Sequence, residues 1–282
     1  MKQKLLSLVV FVTAVVLFAC SNLQSKPSAA TTLESTQAPI STPNIKLEGK
    51  DVFCPTENKE AQKSYNDANR LKQNGKFAEA EKLYKKAVDL DPNFCDAMDN
   101  LGQLLRQQNK IDEAITWYKK SLEVKPDNTV ALQNLALAYS LQGKSEQAIE
   151  EYKKLINLVP ENPEGYYGLG TIYFNLNQPD KSIQYLMIAE KLYAQESSPY
   201  VMDTQYYLGF SYFSLQDCVN AKKYLEPIYT RFSEDGGVNY ILGVCYLQTE
   251  PKDVNTARTY ILKAQKAGVQ IPAEILTAIN GQ

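Results

Sequence analysis

The sequence of 282 residues contains no histidine. Histidine is the most frequent general base of enzymes and the most frequent metal ligand, so its absence removes the usual route to both kinds of site. The chain also has no glycine-rich phosphate loop and no closely spaced cysteine pair of the metal-binding type. No spacing of carboxylates or lysines singles out another active site. We therefore predict a non-enzyme with no catalytic residue, no cofactor and no metal.

Blocks of basic residues are also missing. The chain has 30 Lys and Arg against 32 Asp and Glu, for a net charge of −2. Proteins that bind nucleic acid neutralise its phosphates with a basic patch. We therefore predict no nucleic-acid partner.

The chain does contain a repeat with a period of 34 residues. In the copy from Cys95 to Asn128 the recurring residues are Ala97, Leu101, Gly102, Leu105, Ala114, Trp117, Tyr118 and Pro126. One period later stand Ala131, Leu135, Ala136, Tyr139, Ala148, Tyr152 and Pro160, and one period earlier Ala68, Leu71, Ala80, Tyr84, Ala87 and Pro92. A fixed period of this length indicates stacked structural repeats, which become stable only when neighbours bury each other's apolar faces.

The spacing within one repeat predicts two antiparallel helices. A small residue such as Gly102 lets the second helix approach closely, and we expect Ala114 to face it. The turns between helices are predicted at Gly75, Asn109, Gly143 and Asn177, residue types that tolerate the left-handed backbone of a helix end.

This pattern resembles the tetratricopeptide repeat (TPR). The resemblance implies an all-α superhelical solenoid over residues 51–282, with about six helix-turn-helix repeats and a C-terminal capping helix. We assign the repeats to residues 61–94, 95–128, 129–162, 163–196, 202–235 and 236–271, and the cap to residues 270–280.

The N-terminal segment has the pattern of an export signal. Lys2 and Lys4 precede an apolar run of about 14 residues, too short for a membrane span of roughly 20. The run ends in Leu17-Phe18-Ala19-Cys20, which resembles the lipobox of bacterial lipoproteins. The resemblance implies a signal peptide at residues 1–19 and a lipidated, membrane-bound Cys20. The alternative is an ordinary signal peptide followed by an incidental cysteine.

Residues 20–50 are rich in Ser, Thr, Ala, Pro and Gln and nearly free of aromatic residues, so we predict a disordered tether. Ser21, the residue after Cys20, is not Asp. By resemblance to lipoprotein sorting in enteric bacteria, this favours the outer membrane, facing the periplasm, over the inner membrane.

Four further cysteines remain, an even number that makes disulfides plausible in an exported protein. They allow three pairings. Their places in the repeats favour Cys54 with Cys95 and Cys218 with Cys245. The alternative is that all four are small buried residues with free thiols.

The TPR resemblance implies that first helices line a concave groove that binds a protein or peptide segment. At the expected groove positions, repeats four to six carry a set that we call the aromatic strip: Tyr167, Phe174, Tyr206, Phe210, Phe213, Tyr240, Val244 and Leu247. Large apolar groups on an exposed face usually mark an interaction site. Packing against neighbouring repeats is the alternative role of these residues.

Repeats one and two are mostly polar at the same positions: Gln62, Tyr65, Asn69, Lys72, Gln73, Asp96, Asp99, Gln103, Arg106 and Gln107. Some TPR domains bind a C-terminal carboxylate through a clamp of Asn, Lys and Arg. Asn69 and Asn100 match its asparagines, but Tyr65 replaces a lysine, and Val130 and Gln133 supply no basic residue. That clamp is therefore not expected.

The layout of a lipobox followed by six repeats is similar to that of outer-membrane TPR lipoproteins, secretin pilotins among them. The resemblance implies a role in envelope assembly or biogenesis. The alternative is a cell-wall glycan-binding module or an accessory subunit of a cell-wall enzyme, with the aromatic strip stacking on sugars.

Overall fold

The computed structural model describes residues 54–281, which form fourteen helices and no strand. The predicted signal peptide, Cys20 and the whole of the predicted tether lie outside the described residues. The helices are α1 (Lys59–Gln73), α2 (Phe77–Leu90), α3 (Cys95–Gln107), α4 (Ile111–Val124), α5 (Thr129–Leu141), α6 (Ser145–Leu158), α7 (Pro163–Asn175), α8 (Pro179–Gln195), α9 (Tyr200–Ser214), α10 (Cys218–Leu225), α11 (Tyr229–Phe232), α12 (Gly236–Gln248), α13 (Val254–Lys266) and α14 (Ala273–Asn280). The all-α prediction is confirmed.

The chain divides into two compact units, and the boundary falls within α7. The N-terminal unit reaches Ile172, and the C-terminal unit begins at Tyr173. In the part of the chain that the structure describes, no helix is both long and apolar enough to cross a membrane.

The turns between paired helices adopt the backbone that the sequence predicts. Gly75, Asn109, Gly143 and Asn177 have φ values of 74°, 64°, 73° and 55°. This left-handed conformation ends the first helix of a pair and lets the chain reverse. Gln216, with φ 61°, takes the same role after α9, although glutamine does not favour this region.

Close approach of neighbouring helices in the N-terminal unit depends on glycine. A methyl group on Gly102 would lie 2.6 Å from the Tyr118 ring, so this ring packs directly against the glycine. At Gly168 the corresponding distance to the Tyr152 ring is 2.2 Å. Both tyrosine rings therefore occupy space that any side chain larger than hydrogen would take.

The C-terminal unit departs from the regular repeat at two places. Helix α8 has 17 residues where α2, α4 and α6 have 14, which is about one additional turn. The second helix of the next pair is interrupted, with α10 ending at Leu225 and the short α11 beginning at Tyr229. Pro227 lies in this gap and cannot supply a helical N–H, which explains the break.

Three tyrosine pairs recur in the C-terminal unit, each joining a first helix to a second helix. Their rings are stacked with centroids 5.5 to 5.7 Å apart: Tyr173 on Tyr185, Tyr212 on Tyr224, and Tyr246 on Tyr260. This regular packing accounts for six of the nineteen tyrosines.

The last helix, α14, caps the end of the C-terminal unit. Its Ile275 and Ile279 are buried. The Arg258 guanidinium of α13 donates to the Ile279 carbonyl, with Nε 2.7 Å from the oxygen. An apolar contact and a charge-assisted hydrogen bond thus hold the expected capping helix in place.

Candidate peptide-binding surface

Most of the aromatic strip is buried. Phe174, Tyr206, Phe210, Phe213, Tyr240 and Val244 are each at most 7 % exposed, while Tyr167 and Leu247 keep partial exposure. All six buried residues belong to one hydrophobic cluster of the C-terminal unit.

The rings of the strip pack mainly on one another. The centroids of Tyr206 and Phe210 are 4.4 Å apart, and Phe174 and Phe213 make edge contacts with Phe210 and Tyr240 at 6.3 and 6.2 Å. This is the packing role that the sequence left open. A ring that stacks on a sugar or grips a peptide needs an exposed face, so we look elsewhere for a binding surface.

The N-terminal unit carries the polar residues that the first helices α1 and α3 present at the expected groove positions. Gln73 and Gln107 are exposed, and Gln62, Lys72 and Arg106 are partly exposed. We call this surface the polar face. These groove positions are more accessible to solvent than those of the aromatic strip.

The two asparagines at clamp positions are occupied within the protein. Asn69 accepts a hydrogen bond from the Tyr84 hydroxyl. The Asn100 amide donates to the Tyr65 hydroxyl at 2.9 Å and to the Asp96 carbonyl at 3.0 Å. Both side chains therefore join neighbouring helices within the protein.

A buried polar cluster forms around Asp99 of α3. The Asn128 amide donates to Asp99 Oδ2 at 2.7 Å and to the Ser121 hydroxyl at 2.9 Å, while Asn128 Oδ1 caps the start of α5. Burial raises the pKa of Asp99 to about 6, and its hydrogen bonds with Ser121 and Asn128 oppose the rise. The cluster joins α3, α4 and α5. The groove pattern predicts an accessible Asp99, and no residue nearby in sequence signals its burial.

Lys72 of α1 donates a hydrogen bond to Gln103 of α3, the next first helix. Burial lowers the pKa of Lys72, and the nearby charge of Arg106 lowers it further. Arg106 also lies near Tyr118. Burial raises the pKa of Tyr118 to about 12, and the interaction with Arg106 opposes this rise. The positive charges of Lys72 and Arg106 are therefore close enough to repel each other.

The four cysteines of the described residues are joined as Cys54–Cys95 and Cys218–Cys245. Their Cα atoms are 5.4 and 4.9 Å apart, within the ordinary disulfide range. Between residues 54 and 281 no group of His, Cys, Asp and Glu is arranged to hold a metal ion.

The helix pairs, the 34-residue period and the left-handed turns define a helical repeat protein. Family models described as "TPR repeat" match residues 102–143 and 138–177, and models described as "Tetratricopeptide repeat" match residues 83–116, 71–94 and 163–196. Through residues 71–196 the chain therefore belongs to the tetratricopeptide repeat family. A comparison with curated proteins gave no match.

Several solved structures share this fold. PilF of Pseudomonas aeruginosa is 18% identical with a TM-score of 0.63, and the match covers 73% of this chain and 91% of that one. YrrB, described as a TPR protein with an unusual peptide-binding site, is 20% identical with a TM-score of 0.55, covering 70% and 96%. A MamA structure is 27% identical with a TM-score of 0.51, covering 60% and 94%. These likenesses show that the chain has the fold of TPR proteins.

Proposed function

We propose that this protein is a lipid-anchored scaffold of the bacterial envelope that binds a protein or peptide segment along its first helices, in envelope assembly or biogenesis. The observation that carries the proposal is the polar face of the N-terminal unit. Exposed amides and partly exposed cations on adjacent first helices offer donors and acceptors to an extended chain. The peptide-binding site of YrrB supports the same use of the fold.

The anchoring part of the proposal rests on the N-terminal sequence. Leu17-Phe18-Ala19-Cys20 follows a short apolar run, and a multiply acylated cysteine gives stable membrane attachment. The two disulfides support export, because such bonds persist in oxidising compartments and are rare in the cytosol. We favour the outer membrane, facing the periplasm, on the basis of Ser21.

Lipidation is tested by expressing the full chain in a bacterium fed an alkyne analogue of palmitate. We expect the label to be incorporated and the protein to fractionate with membranes. Cys20→Ala should abolish both, while the neighbouring Ser21→Ala should keep the label. A labelled Cys20→Ala variant, or an unlabelled wild type, contradicts the anchor.

Partner binding is tested by placing a photo-crosslinking amino acid at single positions of the full chain in intact cells. Gln73 and Gln107 are the probe positions, because both are exposed on the polar face. Lys82 and Glu113, exposed on the second helices α2 and α4, are matched controls. We expect the same envelope protein to be captured from Gln73 and Gln107 and not from the controls. Equal capture from all four positions, or capture from the controls alone, contradicts binding along the first helices.

A further inference from the structure

The two disulfides differ in the accessibility of their sulfur atoms. In each pair one cysteine is the first residue of a helix, Cys95 in α3 and Cys218 in α10, and the other cysteine lies elsewhere in the chain. Cys54 is partly exposed, and its Sγ lies 3.5 Å from the Asn93 carbonyl oxygen at an exposed position. Cys245 is fully buried, and its partner Cys218 is 6 % exposed. A thiol in solution can therefore reach a sulfur atom of the first pair, but not of the second, while the protein is folded.

The place of Cys95 determines which bond breaks in such an attack. Cys95 begins α3, a helix of 13 residues, and the positive end of a helix dipole stabilises a thiolate. Thiol–disulfide exchange is faster when the departing thiolate is stabilised. Attack on the accessible Cys54 Sγ therefore expels the better leaving group, the Cys95 thiolate. In the second pair the corresponding attack falls on Cys245, whose burial prevents it.

The accessible disulfide fastens a short segment, residues 54–58, which we call the strap. At its start the Cys54 N–H donates to Asp96 Oδ1 at 2.9 Å, and the Asp96 N–H lies 3.5 Å from the Cys54 carbonyl oxygen. At its end Asn58 Oδ1 caps α1, and the Asn58 amide donates to the Leu90 carbonyl at 3.0 Å. The end of the strap is thus held by bonds that do not depend on the disulfide. Opening the disulfide should free the start of the strap and leave α1 in place.

We propose that Cys54–Cys95 is a thiol-exchange site, at which a dithiol reductant attacks Cys54 Sγ and releases the strap from α3. The attacking thiolate bonds to Cys54 Sγ, and the electron pair of the broken bond leaves on Cys95 Sγ, which takes a proton from water. The second thiol of the reductant then attacks the mixed disulfide. It releases Cys54 as a thiol, and the reductant becomes a disulfide. Exchange at this site does not depend on the proposed scaffold function.

Brief treatment of the purified full-length chain with β-mercaptoethanol in native buffer tests the direction of attack. This neutral monothiol forms the mixed disulfide, free thiols are trapped with N-ethylmaleimide, and each cysteine is read from its own peptide by mass spectrometry. We expect the mercaptoethanol adduct on Cys54 and the maleimide on Cys95. Cys218–Cys245 is the internal control and should react at least about a hundredfold more slowly, because a buried disulfide reacts only after local unfolding.

Dithiothreitol, a dithiol, then tests the release of the strap. Once the first pair alone is reduced, hydrogen exchange should become faster in residues 54–58 and stay unchanged in α1, with the helical circular dichroism retained. Cys218→Ala/Cys245→Ala should react at Cys54 at the wild-type rate.

Three results overturn the proposal. The first is equal reaction rates of the two disulfides in native buffer. The second is an adduct on Cys95 with the maleimide on Cys54. The third is a loss of helical signal, or unchanged exchange of the strap, when only the first pair is reduced.

Discussion

Replacing Asp99 by asparagine should stabilise the protein at neutral pH. Asp99 is 5 % exposed, and one carboxylate oxygen has no hydrogen-bond partner among the described residues. Asparagine has the same shape, accepts the Asn128 amide hydrogen bond and carries no charge. The substitution therefore removes a buried charge without opening a cavity.

The pKa of Asp99 gives the magnitude. It rises from an ordinary 3.8 to about 6, chiefly through burial. At ~1.4 kcal/mol per pKa unit, the folded state holds this proton about 3 kcal/mol more tightly than the unfolded state. Because the folded pKa is raised, the stabilisation is full below about pH 4 and is lost as the pH rises through about 6. At pH 7, Asp99→Asn should recover up to about 3 kcal/mol.

Guanidinium unfolding at pH 4, 5.5 and 7 measures this effect as the difference between variant and wild type, which cancels the titration of other groups. The gain should be near zero at pH 4 and largest at pH 7. Asp89→Asn, the same change on an exposed part of α2, should show no such dependence. A loss of stability at pH 7, or a difference that does not vary with pH, refutes the reasoning.

Three other outcomes follow from the packing and are read from chemical unfolding curves. Gly168→Ala should cost about 1–3 kcal/mol, because its methyl group would lie 2.2 Å from the Tyr152 ring; an unchanged midpoint contradicts this contact. Gln216→Gly should add about 1 kcal/mol by relieving a left-handed backbone at φ 61°, and a loss contradicts that account. Cys218→Ala/Cys245→Ala should lose roughly 3.5 kcal/mol for a loop of 27 residues, and reducing agent should lower the stability of the wild type by more than that of the variant, which keeps only the Cys54–Cys95 disulfide.

The helix pairs were predictable because each depends on local residues at a fixed spacing. Glycine or asparagine at positions 75, 109, 143 and 177 marks a left-handed turn whatever lies nearby, and all four have positive φ. The residue type of Gln216 does not predict a left-handed turn, because the helices on either side impose its conformation. Pro227 was visible in the sequence, and its effect on the second helix follows directly from its missing N–H.

The surface was less predictable, because exposure depends on the distance between neighbouring helices. The strip residues Phe210 and Phe213 occupy groove positions of the family, yet large rings on adjacent first helices fill the intervening space and bury each other. The polar residues at the same positions in the N-terminal unit leave that space accessible. Asp99 is the exception, because its burial depends on Asn128, which is 29 residues away.

The Cys54–Cys95 disulfide determines which helices carry mechanical load. It closes a covalent loop that encloses α1 and α2 and ends at the first residue of α3. A pull on the chain before Cys54 passes through the two sulfur atoms directly into α3, and the first helix pair bears no tension. Lys72 is therefore on an unloaded helix, while Arg106 is on the helix that takes the force. Tension on the chain would therefore act on the helix of Arg106 and not on the helix of Lys72.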